Sequence, residues 1–564
     1  MARIRVTLCL LALLIASISY AQWSSDPAVN LSVADAAGDQ VQPKVAPTSD
    51  GGCYISWFDG LGTGFDVRLQ KLDSAGNEIF AHNGVLVADR GFSWTHDYGL
   101  DVDSSGNALL VFRDDSISGE QITAAKVSPA GSLLWDASGV QLTNTAGYVA
   151  APKIAGTSDG AAVVAWTEDS DVRLQKLAGD GSQVWVTDVV LSPDVGTYSA
   201  SDLHDAGTDV ILSVVHVTGA YYAPKHLLAQ KLDSRGVLLW GSDHVAVFDG
   251  GSLQYGNYPE FVPDGTGGAV FSWYDTASLQ LQCYAQHVLA DGTEAFPHNG
   301  SAASTNTSRV RVSPSAAINS STGETFLFWE EQDASQSQSG VYGQKFDSVG
   351  NRQWTSDGAV VVSVGSDENT QMRCLTEGPG AFVFWVQSAG LGQDKLYGAR
   401  LDGAGTIDIA RFDVASTPSD KSRLDVARST SGFAVLAWQD DRFDAGDIFA
   451  QNVNSDGSLG TPWVGVGSED VGSPSGFLGA PWPNPMGAVT RFECSTIDPQ
   501  GDVVEVFDVR GRVVRECLIS PGTGRRIVTW DGRDGNGERV PGGVYFLRLR
   551  DGRAATAVKV TVVR

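Results

Sequence analysis

The chain contains the stretch PKVAPTSDGGCYISWFD at residues 43–59, followed by FDVRLQKLDSAGNEIF at residues 65–80. Nearly the same text returns as PKIAGTSDGAAVVAW at residues 152–166 and DVRLQKLAGDGSQVW at residues 171–185. Each copy places a short apolar run after an Asp-Gly turn signal, and a half-buried run follows before the next turn. This pattern indicates a repeat built from short strands joined by tight turns.

An aromatic residue that ends the second predicted strand marks each copy of the repeat, at intervals of about 54 residues. The eight copies are marked by Trp57, Phe112, Trp166, Val215 (a degenerate copy), Trp273, Trp329, Trp385 and Trp438. Units of this length with four short strands are typical of β-propeller blades, whereas solenoids have shorter periods and immunoglobulin-like arrays longer ones. The sequence therefore predicts an all-β chain containing one eight-bladed β-propeller.

The ends of the repeat suggest how the ring closes. Residues 29–40 (VNLSVADAAGDQ) resemble the end of a unit, and the last unit lacks its final strand. Because a free sheet edge is a liability, we expect the N-terminal strand to complete the last blade. The propeller is predicted to span residues 22–464.

Composition and charge limit the classes of function. The 564 residues are 42% hydrophobic and carry a formal net charge of −27, which favours a folded protein and disfavours nucleic acid as a partner. Residues 1–21 have Arg3 and Arg5, an apolar core and a small-residue cleavage site, which is typical of a signal peptide. No later apolar run is long enough to span a membrane, so the sequence predicts a secreted protein.

Some segments resemble known families. The run KLDSRGVLLW at residues 231–240 resembles the tryptophan-docking motif of eight-bladed quinoprotein-type propellers, where the tryptophan packs between blades. The turn segments faintly resemble the Asp-box of sialidases, and residues 438–451 (WQDDRFDAGDIFAQ) resemble tandem repeats of large secreted bacterial proteins. These resemblances imply architecture and not activity.

A second module follows the repeat. Residues 465–480 are rich in Gly, Ser and Pro and read as a flexible linker, after which Arg becomes frequent. Residues 481–564 resemble the FlgD-like (flagellar hook-capping) immunoglobulin-like domain that serves as a type IX secretion sorting signal. The resemblance implies a small β-sandwich and a partner in the type IX machinery, at the outer surface of a Gram-negative-type bacterium. The matching motif residues are Pro483, Asn484, Pro485, Asp508, Gly511, Arg512, Gly543, Tyr545 and Lys559.

Motifs for catalysis and cofactors are scarce. The chain has no GxSxG, no HExxH and no phosphate-binding glycine loop. The histidines lack metal-ligand spacing, and the adjacent cysteine pair of quinoprotein dehydrogenases is missing. Cysteines are expected as isolated buried side chains, with a Cys494–Cys517 disulfide left open.

One segment has the form of a calcium loop. Asp101, Asp103 and Ser105 alternate before Gly106, but the twelfth position is Phe112 where a calcium loop needs Glu. The corresponding segment in other units is a plain Ser-Asp-Gly turn. The sequence predicts no cofactor, with calcium at this loop as the alternative.

A carboxylate stands two residues after the repeated aromatic in six units, and we call these six residues the rim carboxylates. On one face of a propeller they would form a ring that attracts a cation or a basic ligand. The alternative is that each caps its own turn or pairs with a neighbour such as Arg68 or Arg442. The rim carboxylates are Asp59, Asp114, Glu168, Asp275, Glu331 and Asp440.

These observations favour a secreted, non-catalytic scaffold that binds an unknown protein or glycan on a propeller face. The alternative is a polysaccharide-active hydrolase or lyase on the same scaffold, which would need paired carboxylates beside arginine and aromatic side chains. One deep pocket lined by unequal, non-repeated residues would favour the enzyme, whereas a shallow quasi-symmetric face would favour the scaffold.

Overall fold

A computed structural model describes the chain in two compact units, residues 1–463 and 464–564. The described residues are 22–60, 64–91, 98–114, 120–220, 222–254, 256–276, 281–460, 477–478, 484, 486–495, 502–519, 525–549 and 558–563. The predicted signal peptide lies outside these residues, as does the predicted linker apart from residues 477–478. A search of the same residues for a helix long and apolar enough to cross a membrane found none.

The first unit contains eight four-stranded antiparallel sheets within the part of the chain that is described. We call these sheets blades 1 to 8. The strands of the first half are β1 (Leu31–Ala34), β2 (Gln40–Pro47), β3 (Cys53–Asp59), β4 (Asp66–Leu72), β5 (Val85–Ala88), β6 (Tyr98–Val102), β7 (Ala108–Asp114), β8 (Gln121–Val127), β9 (Val140–Gln141), β10 (Val149–Gly156), β11 (Ala162–Glu168), β12 (Asp171–Leu177), β13 (Val189–Leu191), β14 (Thr197–Ala206), β15 (Asp209–Val217), β16 (Lys225–Leu232) and β17 (Val245–Phe248). Those of the second half are β18 (Phe261–Pro263), β19 (Ala269–Asp275), β20 (Gln282–Val288), β21 (Ser301–Ala302), β22 (Val310–Asn319), β23 (Glu324–Gln332), β24 (Ser339–Phe346), β25 (Ala359–Gly365), β26 (Glu368–Glu377), β27 (Gly380–Ser388), β28 (Asp394–Leu401), β29 (Ile407–Ser419), β30 (Lys421–Arg428), β31 (Ala434–Asp440) and β32 (Asp447–Val453).

Seven blades follow the chain in order. Blade 1 is β2-β3-β4-β5, and each following group of four strands forms the next blade up to blade 7, β26-β27-β28-β29. Blade 8 has the order β30-β31-β32-β1, so its outermost strand comes from the N-terminus. The predicted all-β fold of four-stranded antiparallel sheets is confirmed.

The first strand of each blade contacts the first strand of the next blade, and β30 of blade 8 contacts β2 of blade 1. This cyclic order places the eight first strands around a common axis, as in a propeller. The second strands are buried, because their side chains pack between neighbouring blades; Trp57 and Trp166, for example, have no exposed surface. In blade 4 the register shows that Val214, rather than the predicted Val215, occupies the position that these tryptophans have in other blades.

Strand β1 closes the ring as the sequence suggested. Leu31 pairs with Ala450 of β32, and Val33 is fully buried in a cluster that also contains Trp57 of blade 1. The N-terminal segment makes further contacts: the backbone N–H of Ser416 donates to the carbonyl of Pro27 at 2.9 Å. Strands β1 and β32, which lie at opposite ends of the first unit in sequence, are therefore paired in one sheet.

Neighbouring blades are also joined by an aromatic side chain that lies against a glycine of the next blade. The indole Nε1 of Trp135 donates to the carbonyl of Gly179 at 3.2 Å, and a Cβ added at Gly181 would come within 2.9 Å of the same ring. Gly181 has a φ of 87°, so the turn needs glycine for its backbone as well as for the space. Between blades 8 and 1 the aromatic is Trp23, whose Nε1 donates to the carbonyl of Ser74. At this junction the docking tryptophan comes from the N-terminal segment.

The second unit contains two antiparallel sheets that share one core. Its strands are β33 (Phe477–Leu478), β34 (Thr490–Ser495), β35 (Asp502–Asp508), β36 (Val513–Ile519), β37 (Arg525–Trp530), β38 (Gly543–Leu549) and β39 (Val558–Val562). The sheet β33-β34-β37 contributes Phe492 and Trp530 to the core, and the sheet β36-β35-β38-β39 contributes Val506 and Leu547. The unit is a small β-sandwich in the residues described.

Four cysteines whose side chains are described are buried free thiols. They are Cys53, Cys283, Cys374 and Cys517. Burial raises the pKa of Cys53 to about 12 and that of Cys374 to about 12, so both are poor nucleophiles. The side chain of Cys494 lies outside the described residues, and the thiol of Cys517 is free.

Candidate functional site

The rim carboxylates lie at or near the ends of the second strands, and the protein itself supplies cations for them. Asp59 forms an ion pair with Arg68, and Glu331 pairs with Arg311 at 2.9 Å. In three blades the indole Nε1 of the repeated tryptophan donates to the carboxylate two residues later. These pairs are Trp166–Glu168 (3.2 Å), Trp329–Glu331 (2.7 Å) and Trp438–Asp440 (2.9 Å).

The other contacts of the rim carboxylates are also internal. Asp440 is fully buried and pairs with Arg442 at 2.6 Å and Lys421 at 3.3 Å. Asp275 accepts the backbone N–H of Ser252 at 3.1 Å, and Asp114 is 5% exposed. The carboxylate oxygen atoms at this rim therefore have protein partners. A ligand bound there stays a prediction.

The two carboxylates of the predicted calcium loop serve different contacts. Asp103 accepts the backbone N–H groups of Ser105 and Asn107, each at 2.9 Å, and pairs with Lys126 at 2.7 Å. Asp101 instead accepts the N–H of Gly156 in the next blade, at 2.8 Å. No group of three or more His, Cys, Asp or Glu side chains in the described ranges is arranged to hold a metal ion. Calcium at this loop stays a prediction.

The motif residues of the second unit hold its turns and strand ends. Asp508 accepts the N–H groups of Arg510 and Arg512 at 2.9 and 3.0 Å around Gly511, whose φ is 77°. The side chain of Asn484 binds the backbone of β39 twice, through the carbonyl of Lys559 (3.0 Å) and the N–H of Thr561 (2.8 Å).

Two further motif residues, Gly543 and Tyr545, belong to β38. The hydroxyl of Tyr545 donates to the carbonyl of Pro541 at 2.9 Å, and Gly543 begins β38. Pro483 and Pro485 lie outside the described residues. A sorting function for these residues stays a prediction.

A different set of residues meets at the propeller axis. Most of the first strands have a register shift in the middle, and in five of them a non-glycine residue there has positive φ. The five are Gln42, Ala151, Ser313, Gln371 and Arg423. Such a bulge re-aims the side chains that follow it, and bulges are frequent next to binding sites.

The position after the shift carries a different side chain in nearly every blade. It is opposite the residue that precedes the repeated aromatic, as in the pairs Lys44–Ser56 and Asp425–Ala437. We call this position the axial position. It is occupied by Lys44, Gly99, Lys153, Asp202, Ser315, Arg373 and Asp425, and in blade 5 Glu260, directly before β18, is in line with it.

A cavity of about 740 Å³ opens at this level, and we call it the axial cavity. Its lining includes His204, Tyr258, Glu260, Arg373 and Asp425, which come from blades 4, 5, 7 and 8. The volume suits a small organic ligand or a few sugar units. The lining is unequal and non-repeated, which is the feature that the sequence analysis associated with an enzyme.

Two of the axial carboxylates join blades rather than face a ligand. Asp202 accepts the backbone N–H of Phe261 in blade 5 at 3.0 Å and that of the following residue, Leu203, at 2.9 Å. Asp425 likewise accepts the N–H of Val45 in blade 1 at 2.8 Å and that of Val426 at 3.0 Å. These bonds satisfy backbone donors at blade junctions.

The charged side chains around the axis act on one another across non-adjacent blades. Burial disfavours the imidazolium of His204, but Asp202 at 3.1 Å, together with Asp101 and Glu260, raises its pKa to about 9. Asp101 lies in blade 2 and His204 in blade 4, so their interaction spans blade 3.

Two carboxyl groups at the axis have pKa values shifted in opposite directions. The positive charge of Arg373, 3.8 Å away, outweighs burial and lowers the pKa of Glu260. Burial raises the pKa of Asp101 to about 6, against the hydrogen bond from Gly156 and the charge of His204. One group is therefore held ionised and the other retains a proton in mildly acidic solution.

Sequence reasoning selected Asp101 as a calcium-loop residue but did not select the residues of the axial position. A usable signal was present, because Lys44, Lys153, Glu260 and Asp425 each stand thirteen residues before the repeated tryptophan of their unit. A position whose charge changes from unit to unit inside a regular repeat is a better pointer to a site than a repeated carboxylate.

Comparison with known proteins identifies similar folds only. No protein-family model matches the chain, and no curated protein matches it. Among solved structures, the polysaccharide lyase Uly1 is 11% identical over 75% of this chain and 91% of its own, with a TM-score of 0.39. The α-L-arabinanase of Penicillium chrysogenum, complexed with arabinobiose, is 9% identical over 76% and 99%, with a TM-score of 0.34. Dipeptidyl peptidase 4 of Porphyromonas gingivalis is 10% identical over 81% and 65%, with a TM-score of 0.39.

The expectation of a non-catalytic binding or adhesion scaffold is corrected. Several other similar structures are arabinofuranosidases or an endo-arabinase, with TM-scores between 0.27 and 0.32. The physical reason lies in this chain itself: the rim carboxylates are bonded internally, whereas the axial cavity gathers unequal charged side chains.

Proposed function

We propose that this chain is a polysaccharide-active hydrolase whose reaction takes place in the axial cavity. The observation that carries the proposal is the axial cavity, where Glu260 lies 3.8 Å from Arg373 and His204 of the lining interacts with Asp101. The pKa of Asp101 is raised and that of Glu260 is lowered. Hydrolysis of a glycosidic bond needs one carboxyl group that keeps its proton and one that has lost it. A pair of carboxyls tuned in opposite directions supports that chemistry.

The two carboxyls take different roles in this proposal. Asp101 is the general acid: its pKa of about 6 lets it hold a proton and transfer it to the leaving-group oxygen. Glu260 is the carboxylate that activates water or attacks the sugar, because Arg373 keeps it ionised. Tyr258, 48% exposed in the cavity lining, offers an aromatic face for a sugar ring.

Elimination, the reaction of a lyase, is less well supported by the same site. A lyase needs a neutral base to remove a proton from carbon. His204 is the histidine in the cavity lining, and its pKa of about 9 keeps the imidazole protonated at neutral pH. His204 is better suited to bind an anion than to act as a base.

The proposal is tested by measuring reducing ends released from a panel of neutral and acidic polysaccharides. Asp101→Asn and Glu260→Gln should each lower kcat by about 10²–10⁴-fold, since each removes one partner of the acid–base pair. In the wild type, kcat/KM should fall as the pH rises through about 6, where Asp101 loses its proton. Asp136→Asn is the matched control, because Asp136 lies in an exposed turn of blade 2. The proposal fails if the wild type cleaves no polysaccharide, or if all three variants keep full activity.

We also propose that the protein is secreted, with residues 1–21 as its signal peptide and residues 481–564 as a FlgD-like sorting domain for the type IX machinery. The resemblance of the C-terminal motif and the two-sheet sandwich of the second unit support this proposal. Fusing residues 481–564 to a periplasmic reporter in a type IX-competent bacterium should send the reporter to the cell surface. A reporter that stays in the periplasm would contradict the sorting role.

A further inference from the structure

The axial position carries three cations beside three carboxylates, in a chain whose net charge is −27. The cations are Lys44, Lys153 and Arg373, in blades 1, 3 and 7. All three act on one carboxylate, Glu260, from different directions around the ring. The convergence is a property of the ring, because these residues are far apart in sequence.

The carboxylates at the same level are held back by other bonds. Asp202 and Asp425 both accept backbone N–H groups from the next blade and from the following residue. Asp202 also pairs with His204, 3.1 Å away. Short side chains tied to the backbone in this way cannot follow the longer lysine and arginine side chains into the cavity.

Arg373 has the geometry of an anion-binding group that is only partly used. Its Nη1 donates to the carbonyl of Met372 at 3.0 Å, while its Nη2 is 3.8 Å from Glu260, beyond hydrogen-bond distance. Both side chains face solvent in the cavity, with 34% and 64% of their surface exposed. A guanidinium in this state can bind a planar carboxylate through two parallel N–H donors.

We infer that the axial cavity binds an acidic polysaccharide, a chain of uronate units whose carboxylates are bound by Arg373 of the lining, with Lys44 and Lys153 at the axial position of other blades. This inference rests on the proposed polysaccharide hydrolase and names its substrate class. The negative charge of the remaining surface repels polyanions, so only a chain whose carboxylates match the axial cations would gain by entering. The protonated His204 adds a fourth cation beside the same cavity.

The test uses the full chain and measures binding by isothermal titration calorimetry. The probes are hexagalacturonate, its fully methyl-esterified form, a neutral arabinan hexamer and a sulfated dextran oligomer. We expect hexagalacturonate to bind at least tenfold more tightly than the ester and the neutral hexamer, with an affinity that falls as salt rises. Equal binding of the acid and the ester, or binding of neither, overturns the inference. Tighter binding of the sulfated probe overturns the choice of uronate.

Variants locate the binding. Arg373→Ala and Lys44→Met should each weaken hexagalacturonate binding about tenfold or more and leave the melting temperature within a few degrees. Arg235→Ala is the matched control, because Arg235 is 78% exposed on a turn of blade 4. If one axial variant fails to fold, the other keeps the test open. Cleavage of a neutral chain without uronate binding would refute this inference and support the proposed hydrolase. Uronate binding without cleavage of any polysaccharide would support this inference and refute the proposed hydrolase.

Discussion

Strand β1 allows ring closure to be tested with two substitutions of the same kind. Val33 lies in β1 and is fully buried between blades 8 and 1, whereas Val29 lies four residues earlier and is 61% exposed. Val33→Ala removes two buried methyl groups, at about 0.8 kcal/mol each from transfer alone. The cavity that remains raises the expected loss to about 2–3 kcal/mol. Val29→Ala removes the same atoms from solvent and should change stability by at most about 0.5 kcal/mol.

The assay is equilibrium unfolding in urea, followed by tryptophan fluorescence. The midpoint for Val33→Ala should fall with an unchanged slope, because the loss is local and the folded ring remains. Trp23→Ala should have a larger effect, about 3–5 kcal/mol, since Trp23 is 3% exposed and binds blade 1. If Val33→Ala and Val29→Ala have the same midpoint, β1 does not close the ring in solution and the reasoning is refuted.

Two further predictions concern the pH dependence of stability. Hydrogen bonding to Glu78 and Asp35 raises the pKa of His82 to about 9, so its contribution is complete below about 6.5 and is lost as the pH rises through about 9. The melting temperature of His82→Ala should therefore differ from the wild type at pH 6 and converge with it at pH 10; an equal difference at both would contradict this. Burial and nearby carboxylates raise the pKa of the fully buried Asp447 to about 7. The wild type should therefore lose stability as the pH rises from about 4 to about 7. Asp447→Asn should abolish this loss and be more stable by about 2–4 kcal/mol at pH 8, as measured by urea unfolding, and equal stability would count against it.

The blades could be predicted from local patterns. Each depends on a run of apolar residues, a turn and an aromatic such as Trp57 or Trp166, all within about 54 residues of one another. The missing last strand and the spare N-terminal strand were visible in the same way. A repeat signals its own fold because every copy buries the same side chains against its neighbours.

The candidate site depended on the closed ring. The repeated carboxylates drew attention because they were repeated, yet Asp59 and Glu331 turned out to be bound by Arg68 and Arg311. The Asp59–Arg68 pair is one that the sequence analysis named as its alternative. The Glu331–Arg311 pair follows from strand register and side-chain direction, which the sequence pattern does not contain.

The axial residues show more clearly that sequence patterns do not reveal contacts between distant strands. Asp101, Glu260 and Arg373 are separated by more than one hundred residues, and only closure around a common axis brings them within electrostatic reach. Their pKa shifts come from burial and from charges on other blades, so a local motif could indicate the residues but not the shifts. Local periodicity was therefore sufficient for the architecture, whereas the chemistry arose from contacts between blades that are distant in sequence.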